Sequence, residues 1–441
     1  MSRSLFRTPD GKSHAFTFIL ISSLFLLWGL CNGMIDVMDK HFQDKLHLTK
    51  AQSAWVQFAH YMGYCFVALP AGWLARKLGY KAGIITGLLV VSLGGFWFVP
   101  ATYIQTFWAF LMGVFILAAG LTFLETIANP YATVLGAKDY AATRINLAQS
   151  CNGVGWILGP LIGGMFFYAP DGGNEQLYIP YVCVAVVVLI LAGVFLMAPL
   201  PNLKTEDAYH IDDHKTGTSQ SIWSHPHFVF AVAAQFLYVA CQAGIFAFFI
   251  NYMVEDAPAI SAEFASSWIL GSGGAIQKEG AHFISEIGAT KLLAYGGFVL
   301  FLIGRFTGAG LLAKFPAHRI LGIYAAVNTV LMGAIFVEEG WFSVTALFLS
   351  FFFMSIMFPT IFALGIYGLG DKAKTASSFI VMAIMGGALM PKLMGLIGDH
   401  YTMSKGFIVP LFCFAGIAVY GFLWSRLSRM DGKITVGSHG V

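Results

Sequence analysis

The sequence predicts an all-α membrane protein, twelve transmembrane helices arranged as two six-helix bundles. Three observations predict it. Apolar runs of about 20 residues recur along the whole chain, each long enough to cross about 30 Å of hydrocarbon as a helix. The most polar internal segment, 202–225, parts them six and six, the organisation of a carrier built from two repeats. Of the 25 Lys and Arg, 17 fall in the tails and in the loops after even-numbered helices, against six in the other loops, which places both termini in the cytoplasm. With 58% hydrophobic and 11% charged residues the chain is no soluble domain, where about a quarter would be charged.

The first run, 16–38, follows Arg3, Arg7 and Lys12 and so mimics a secretory signal. It is too long and no small-x-small cleavage site follows it, so it reads as a retained helix. Runs 53–74 and 83–100 flank a short basic turn, Gly72 to Lys81. Run 107–135 carries Glu125, run 145–168 carries a Gly-Pro pattern, and run 179–199 closes the first half. The second half holds runs 228–254, 291–314, 319–337, 341–367, 376–398 and 406–424. Its basic turn from Gly310 to Arg319 sits where Gly72–Lys81 sits in the first half, as a repeat would place it. The resulting division is 1–201 for the N-terminal bundle, 202–227 for a cytoplasmic linker, 228–425 for the C-terminal bundle and 426–441 for a cytoplasmic tail. Loop 255–290 lies outside, and the sequence leaves open whether part of it is a surface helix.

Several classes of function are excluded. All six cysteines fall within predicted helices without paired spacing, so neither a disulfide framework nor a metal site is expected. No Walker A motif occurs, so ATP is not consumed. Nothing points to an enzyme, a cofactor or a nucleic acid.

The chemistry gathers at polar residues inside the apolar runs. A carboxylate at membrane depth costs about 2.5–3.5 kcal/mol on insertion scales, so Glu125 is expected to have work to do. Hydrocarbon surroundings favour the neutral form of a carboxylic acid, which makes Glu125 the candidate proton carrier. Asp36 lies toward the outer end of the first helix, and Arg305 lies in the eighth. Asn32 and Asp36 are four apart and share a helix face, and so do Gln149 and Asn152, and Gln57 and His60, at spacing three. Gln235 and Gln242 stand seven apart on the seventh helix. Single buried amides are commonly helix–helix glue. A set drawn from both halves suits sugar hydroxyls instead, with the apolar face of a sugar ring against Trp28, Phe246 or Tyr238. His60 is the fallback titrating group, its ordinary pKa being nearest neutrality.

At these residues the chain resembles a known family. The turn residues Gly72, Lys77, Gly79 and Lys81 fit the loop signature of the major facilitator superfamily, with Arg76 where that signature has an acid. The stretches Leu124–Gly136, Arg144–Ser150, Lys81–Gly87, Gly304–Gly308 and Ser377–Met382 resemble the fucose:proton symporter family, which includes glucose/galactose transporters. The resemblance runs from about Leu24 to the last helix. It implies the major facilitator fold, with Glu125 as the proton site and Asp36 helping to hold the sugar. It also implies that Gln149, Asn152 and Arg305 line the cavity. The chain departs from the family pattern at Gly33, Ile35, Phe246 and Met357–Phe358, where the pattern has amides, a tryptophan and Gln-Tyr. L-fucose, a hexose or another 6-deoxyhexose therefore remain open as cargo.

The expected function is import of a monosaccharide with a proton by alternating access. Asn32, Asp36, Gln57, Gln149, Asn152, Gln242, Arg305, Trp28 and Phe246 would bind the sugar. The expected partners are the sugar, the proton and the bilayer of the cell (inner) membrane, with Na⁺ as an alternative coupling ion and the protein a monomer. A rival reading, proton-driven drug efflux, comes from Gly155, Gly159, Pro160, Gly163 and Gly164, a pattern associated with antiporters. Close packing of small residues four apart, with a proline kink, explains the same residues without export.

Overall fold

The computed structural model describes residues 6, 13–136, 141–167, 178–200, 221–312, 315–338, 340–367, 369 and 373–436. The spans are α1 Ala15–Leu46, α2 55–76, α3 Lys77–Ile104, α4 Phe107–Val134, α5 Ala141–Phe167 and α6 Tyr178–Met197. In the second half they are α7 Pro226–Glu255, α8 Glu286–Leu312, α9 Ala317–Val337, α10 Trp341–Ile366, α11 Phe379–His400 and α12 Met403–Ser428. Eleven of the twelve are long and apolar enough to cross a membrane on their own. The twelfth, α2, is more polar because Gln57, His60, Tyr61 and Tyr64 recur at three- and four-residue spacing on one face. The linker residues 202–220, Lys314 and the tail from 437 lie outside the described residues.

The basic turn of the first half works through two residues. Helix runs without interruption from Trp55 to Ile104 except at Gly79, whose φ of 84° a residue with a Cβ adopts only under strain. Two residues on, the Lys81 ammonium donates to the carbonyls of Leu196 (2.8 Å) and Ala198 (2.9 Å). It thereby caps the end of α6, where helix carbonyls lack partners and the helix dipole favours a cation. Arg144, counted as a loop base in the sequence, is instead fully buried and donates to the Ala132 and Gly136 carbonyls at the end of α4.

The Gly-Pro pattern on α5 is a close helix crossing. A Cβ on Gly155 would stand 2.3 Å from the Leu26 carbonyl oxygen, and one on Gly159 would stand 2.6 Å from that of Leu30. From the α1 side, a Cβ on Gly29 would meet the Asn152 carbonyl oxygen at 2.1 Å. Glycine on both helices lets the two backbones touch. Gly155→Val is therefore expected to cost about 1–3 kcal/mol or more by overpacking, read as a lowered Tm in detergent.

Two elements differ from expectation. First, α1 continues to Leu46 rather than ending near residue 38. Asp36 thus lies ten residues inside the helix end and is buried, not partly solvated as its predicted position implied. Second, loop 256–285 holds a single short helix, Ala262–Ala265, and a β-hairpin of β1 Ala275–Lys278 and β2 Ala281–Ile284. Glu279 and Gly280, both with positive φ (52° and 80°), make the two-residue turn whose twist suits antiparallel strands.

On this hairpin face the two halves meet through polar side chains. Gln43 of α1 and Asn251 of α7 exchange amide hydrogen bonds at 3.3 and 2.6 Å, and Gln43 also donates to Ser53 at 2.9 Å. Lys50 pairs with Glu255 at 2.8 Å. The Asp399 carboxylate accepts from the backbone N–H groups of Lys50 (2.7 Å) and Ala51 (2.8 Å), which open a short helix with unpaired donors. The hairpin face is closed by this latch.

Candidate functional site

Glu125 stands at the centre of a network that the sequence showed only in part. The Tyr64 hydroxyl of α2 accepts from the Trp28 indole N–H of α1 and has the Asn32 side chain, also on α1, beside it. The same hydroxyl lies beside the Glu125 carboxyl of α4 and can donate to it. Beside the acid is a small apolar void of about 10 Å³, bounded by Leu24, Phe25, Trp28, Leu124 and Ala128. Three helices thus meet around one ionisable group. Tyr64 was not singled out from the sequence, although its place on the face of Gln57 and His60 was the signal.

One turn to two turns nearer the hairpin face lies a second acidic group. The Gln57 amide of α2 donates to Asp36 Oδ1 and to Asp39 Oδ2, both at 3.1 Å. Asp36 is 5% exposed and Asp39 is 0% exposed. Asp39 was missed because α1 was expected to end before it. Its position seven residues after Asn32 continues the polar face.

The remaining candidates divide. Arg305 of α8 donates to the Gln149 side chain of α5 at 3.4 Å and so reaches across the halves. Its guanidinium lies over the Phe301 ring at 4.8 Å, and Tyr238 of α7 is close enough to act on its charge. A π-helical stretch, Leu293–Phe298, precedes Arg305 in α8 and offsets its helical register, a feature common near functional sites. Asn152, by contrast, is fully buried and donates to the Phe25 carbonyl at 3.3 Å, which ties α5 to α1. Phe246 is packed among Trp156, Phe298, Phe301 and Phe351, with centroids 4.9–6.0 Å away. It faces other rings here, not an open cavity. His60 is buried between Tyr61 and Tyr64, with ring centroids 5.0 and 5.1 Å away. Gln242 is half-buried one turn beyond Tyr238.

No group of three or more His, Cys, Asp or Glu residues able to hold a metal ion occurs among the described residues. What the arrangement offers is a buried acid with a hydroxyl partner, amides at several depths and a guanidinium opposite them. Such a set can bind a neutral polyhydroxy molecule and exchange a proton.

Known proteins share this plan. Residues 17–390 match the family model described as Major Facilitator Superfamily. The L-fucose–proton symporter of Escherichia coli is 34% identical over 93% of this chain and 93% of its own. A glucose/galactose transporter of Brucella abortus is 29% identical over 95% and 96%. Among solved structures, the transporter FucP in the outward conformation superimposes with a TM-score of 0.67 at 34% identity, covering 94% of this chain and 99% of that one. A twelve-helix plan, a family match over most of its length and full-length similarity to sugar carriers leave one conclusion: the chain is a transporter, not an enzyme, and belongs to the major facilitator superfamily, in the family of the fucose:proton symporters and glucose/galactose transporters.

Proposed function

We propose that the protein imports a monosaccharide together with a proton, with Glu125 as the coupling site. The observation that carries the reading is the Trp28–Asn32–Tyr64 network around Glu125. It gives a carboxyl group inside the membrane a neighbouring hydroxyl that can pass or receive a proton. The relatives named as L-fucose–proton symporters and glucose/galactose transporters support sugar as cargo. Arg305, Gln149, Asn32, Asp36, Gln57, Gln242 and Trp28 hold sugar hydroxyls in this reading. Asn152 and Phe246 shape the wall behind them. The halves 1–201 and 228–425 rock about this centre, with 202–227 and both termini cytoplasmic and the hairpin face outside. The protein then acts as a monomer in the cell inner membrane. A TM-score of 0.67 with FucP in its outward conformation, against a closed hairpin face here, fits two states of one cycle.

The test is counterflow in proteoliposomes with L-fucose, D-galactose and D-glucose, beside a panel of cationic dyes. At least one sugar is expected to exchange in a saturable way. Exchange of dyes alone would overturn the reading. Replacing Na⁺ with choline at fixed pH is expected to leave uptake unchanged. The α5 glycines lend no support to efflux, because the contact between α1 and α5 uses them.

A further inference from the structure

We propose that Lys392 of α11, with Trp55 of α2 and Trp108 of α4, binds the phosphate of an acidic phospholipid in the lipid-facing seam between the two halves. The site needs only that these helices span a membrane. Its place in a transport cycle rests on the reading above.

Lys392 is a cation among apolar neighbours. It stands eight residues before the end of α11 at His400, about 12 Å into the helix at 1.5 Å per residue. Leu389, Leu393 and Leu396 beside it are exposed on the outside of the bundle, where lipid lies. A charge in such surroundings is costly, so it is expected to have a partner. The ammonium lies 3.9 Å from the centre of the Trp55 ring. That contact joins the halves, since α2 belongs to one and α11 to the other. Trp55 in turn meets Trp108, with centroids 5.8 Å apart, and Trp108 is 66% exposed.

An aromatic face covers one side of an ammonium and leaves its hydrogen-bond donors unused. Lys40, Lys50, Lys81, Lys291 and Lys405 each reach a carboxylate or a backbone carbonyl. Among the described residues Lys392 reaches neither. The acids on this side are engaged elsewhere. Asp399, two turns along α11, accepts from the Lys50 and Ala51 N–H groups, Glu255 pairs with Lys50, and Glu338 pairs with Lys405. The protein therefore supplies the cation and no anion.

The surroundings identify the anion. Trp55 is the first residue of α2 and Trp108 the second of α4, so the two indoles mark the membrane–water boundary, the level of phospholipid headgroups. A free anion would cover none of the exposed leucines, whereas a lipid brings chains that do. In a zwitterionic headgroup the phosphate is answered by the lipid's own cation. In phosphatidylglycerol it is not, and basic side chains at a membrane surface favour such acidic lipids. The phosphate seats on the lipid side of Lys392 while the Trp55 ring holds the other, so a bound lipid ties α11 to α2 while the hairpin face is closed.

Native mass spectrometry of the full chain in detergent reads which lipid is retained from equal amounts of phosphatidylglycerol and phosphatidylcholine with the same acyl chains, without any sugar. The wild type is expected to retain phosphatidylglycerol in preference. Lys392→Met, which suits a lipid-facing position, is expected to lower that preference about fivefold, the weight of one basic residue toward acidic lipid. Lys392→Arg is expected to keep it, and so is Lys278→Gln, which removes a charge from the exposed hairpin. Glycerol phosphate, which has no chains, is expected not to displace the lipid. No preference in the wild type, an unchanged preference in Lys392→Met, an equal loss in Lys278→Gln or displacement by glycerol phosphate overturns the proposal. If Lys392→Met does not fold, Leu396→Glu decides, because an acid four residues on pairs with Lys392 and takes the place of the phosphate. Unchanged retention in that variant overturns the proposal too. Failure here leaves sugar counterflow intact, whereas failure of the transporter reading abolishes counterflow and leaves lipid retention as it is.

Discussion

Glu125→Gln is expected to keep sugar exchange between the two faces and to lose uphill accumulation. Glutamine has the shape of the acid and can still accept from the Tyr64 hydroxyl, so the contact of α1, α2 and α4 survives. It has no titratable proton, so the loaded carrier is expected to rock without drawing on the membrane potential. One charge crossing 100 mV supplies about 2.3 kcal/mol, which is roughly a fifty-fold concentration ratio at 1.4 kcal/mol per tenfold. In proteoliposomes with an imposed potential of about 100 mV and equal pH on both sides, the wild type is expected to approach that ratio. The variant is expected to stop at equal concentrations while counterflow continues. Unchanged accumulation would remove Glu125 from the coupling role and turn attention to His60.

The second large effect comes from fixing the latch. Gln43 and Asn251 exchange two amide hydrogen bonds across the halves, so their side chains are in contact only while the hairpin face is closed. In a variant lacking the native cysteines, Gln43→Cys with Asn251→Cys is expected to cross-link under a mild oxidant and to abolish transport. Reduction is expected to restore it. The single cysteine variants serve as controls, because losing one amide partner costs about 1–3 kcal/mol in a buried pair but leaves the halves free to move. Undiminished uptake with complete cross-linking would show that the hairpin face need not open.

The sequence made the spans legible because hydrocarbon thickness sets a length that composition reveals. Even α2 was found, as the run 53–74, despite the polar face that lowers its hydropathy. The end of α1 was not legible. Asp39, Lys40 and Asp44 look like a solvated exit from the membrane. In the structure Lys40 satisfies Asp44, and the helix runs on to Leu46 with Asp39 turned inward. A charged stretch that pairs with itself reads as loop and folds as helix. The hairpin in loop 256–285 escaped for another reason, since four-residue strands show too little alternation to be recognised.

At the site, Glu125, Asp36, Gln57, Gln149 and Arg305 were legible as polar residues where lipid forbids them. Tyr64 was not, because tyrosine is tolerated in helices of every kind and 17 occur in the chain. Asn152 and Phe246 were given contacts with sugar, whereas here one ties α5 to α1 and the other packs among rings. Sequence spacing places a residue on a face but does not say which neighbour that face meets.

The way Asp399 holds the start of the short helix at Lys50 bears on how readily the hairpin face can part. A seam closed by a large oily surface would stay shut, since water gives nothing back when such a surface is exposed. A carboxylate on two backbone N–H groups is different. When the seam parts, water takes up both the acid and the donors, and each exchanged hydrogen bond changes the balance by only about 0.5–1.5 kcal/mol. Through this contact alone, parting the seam therefore costs little.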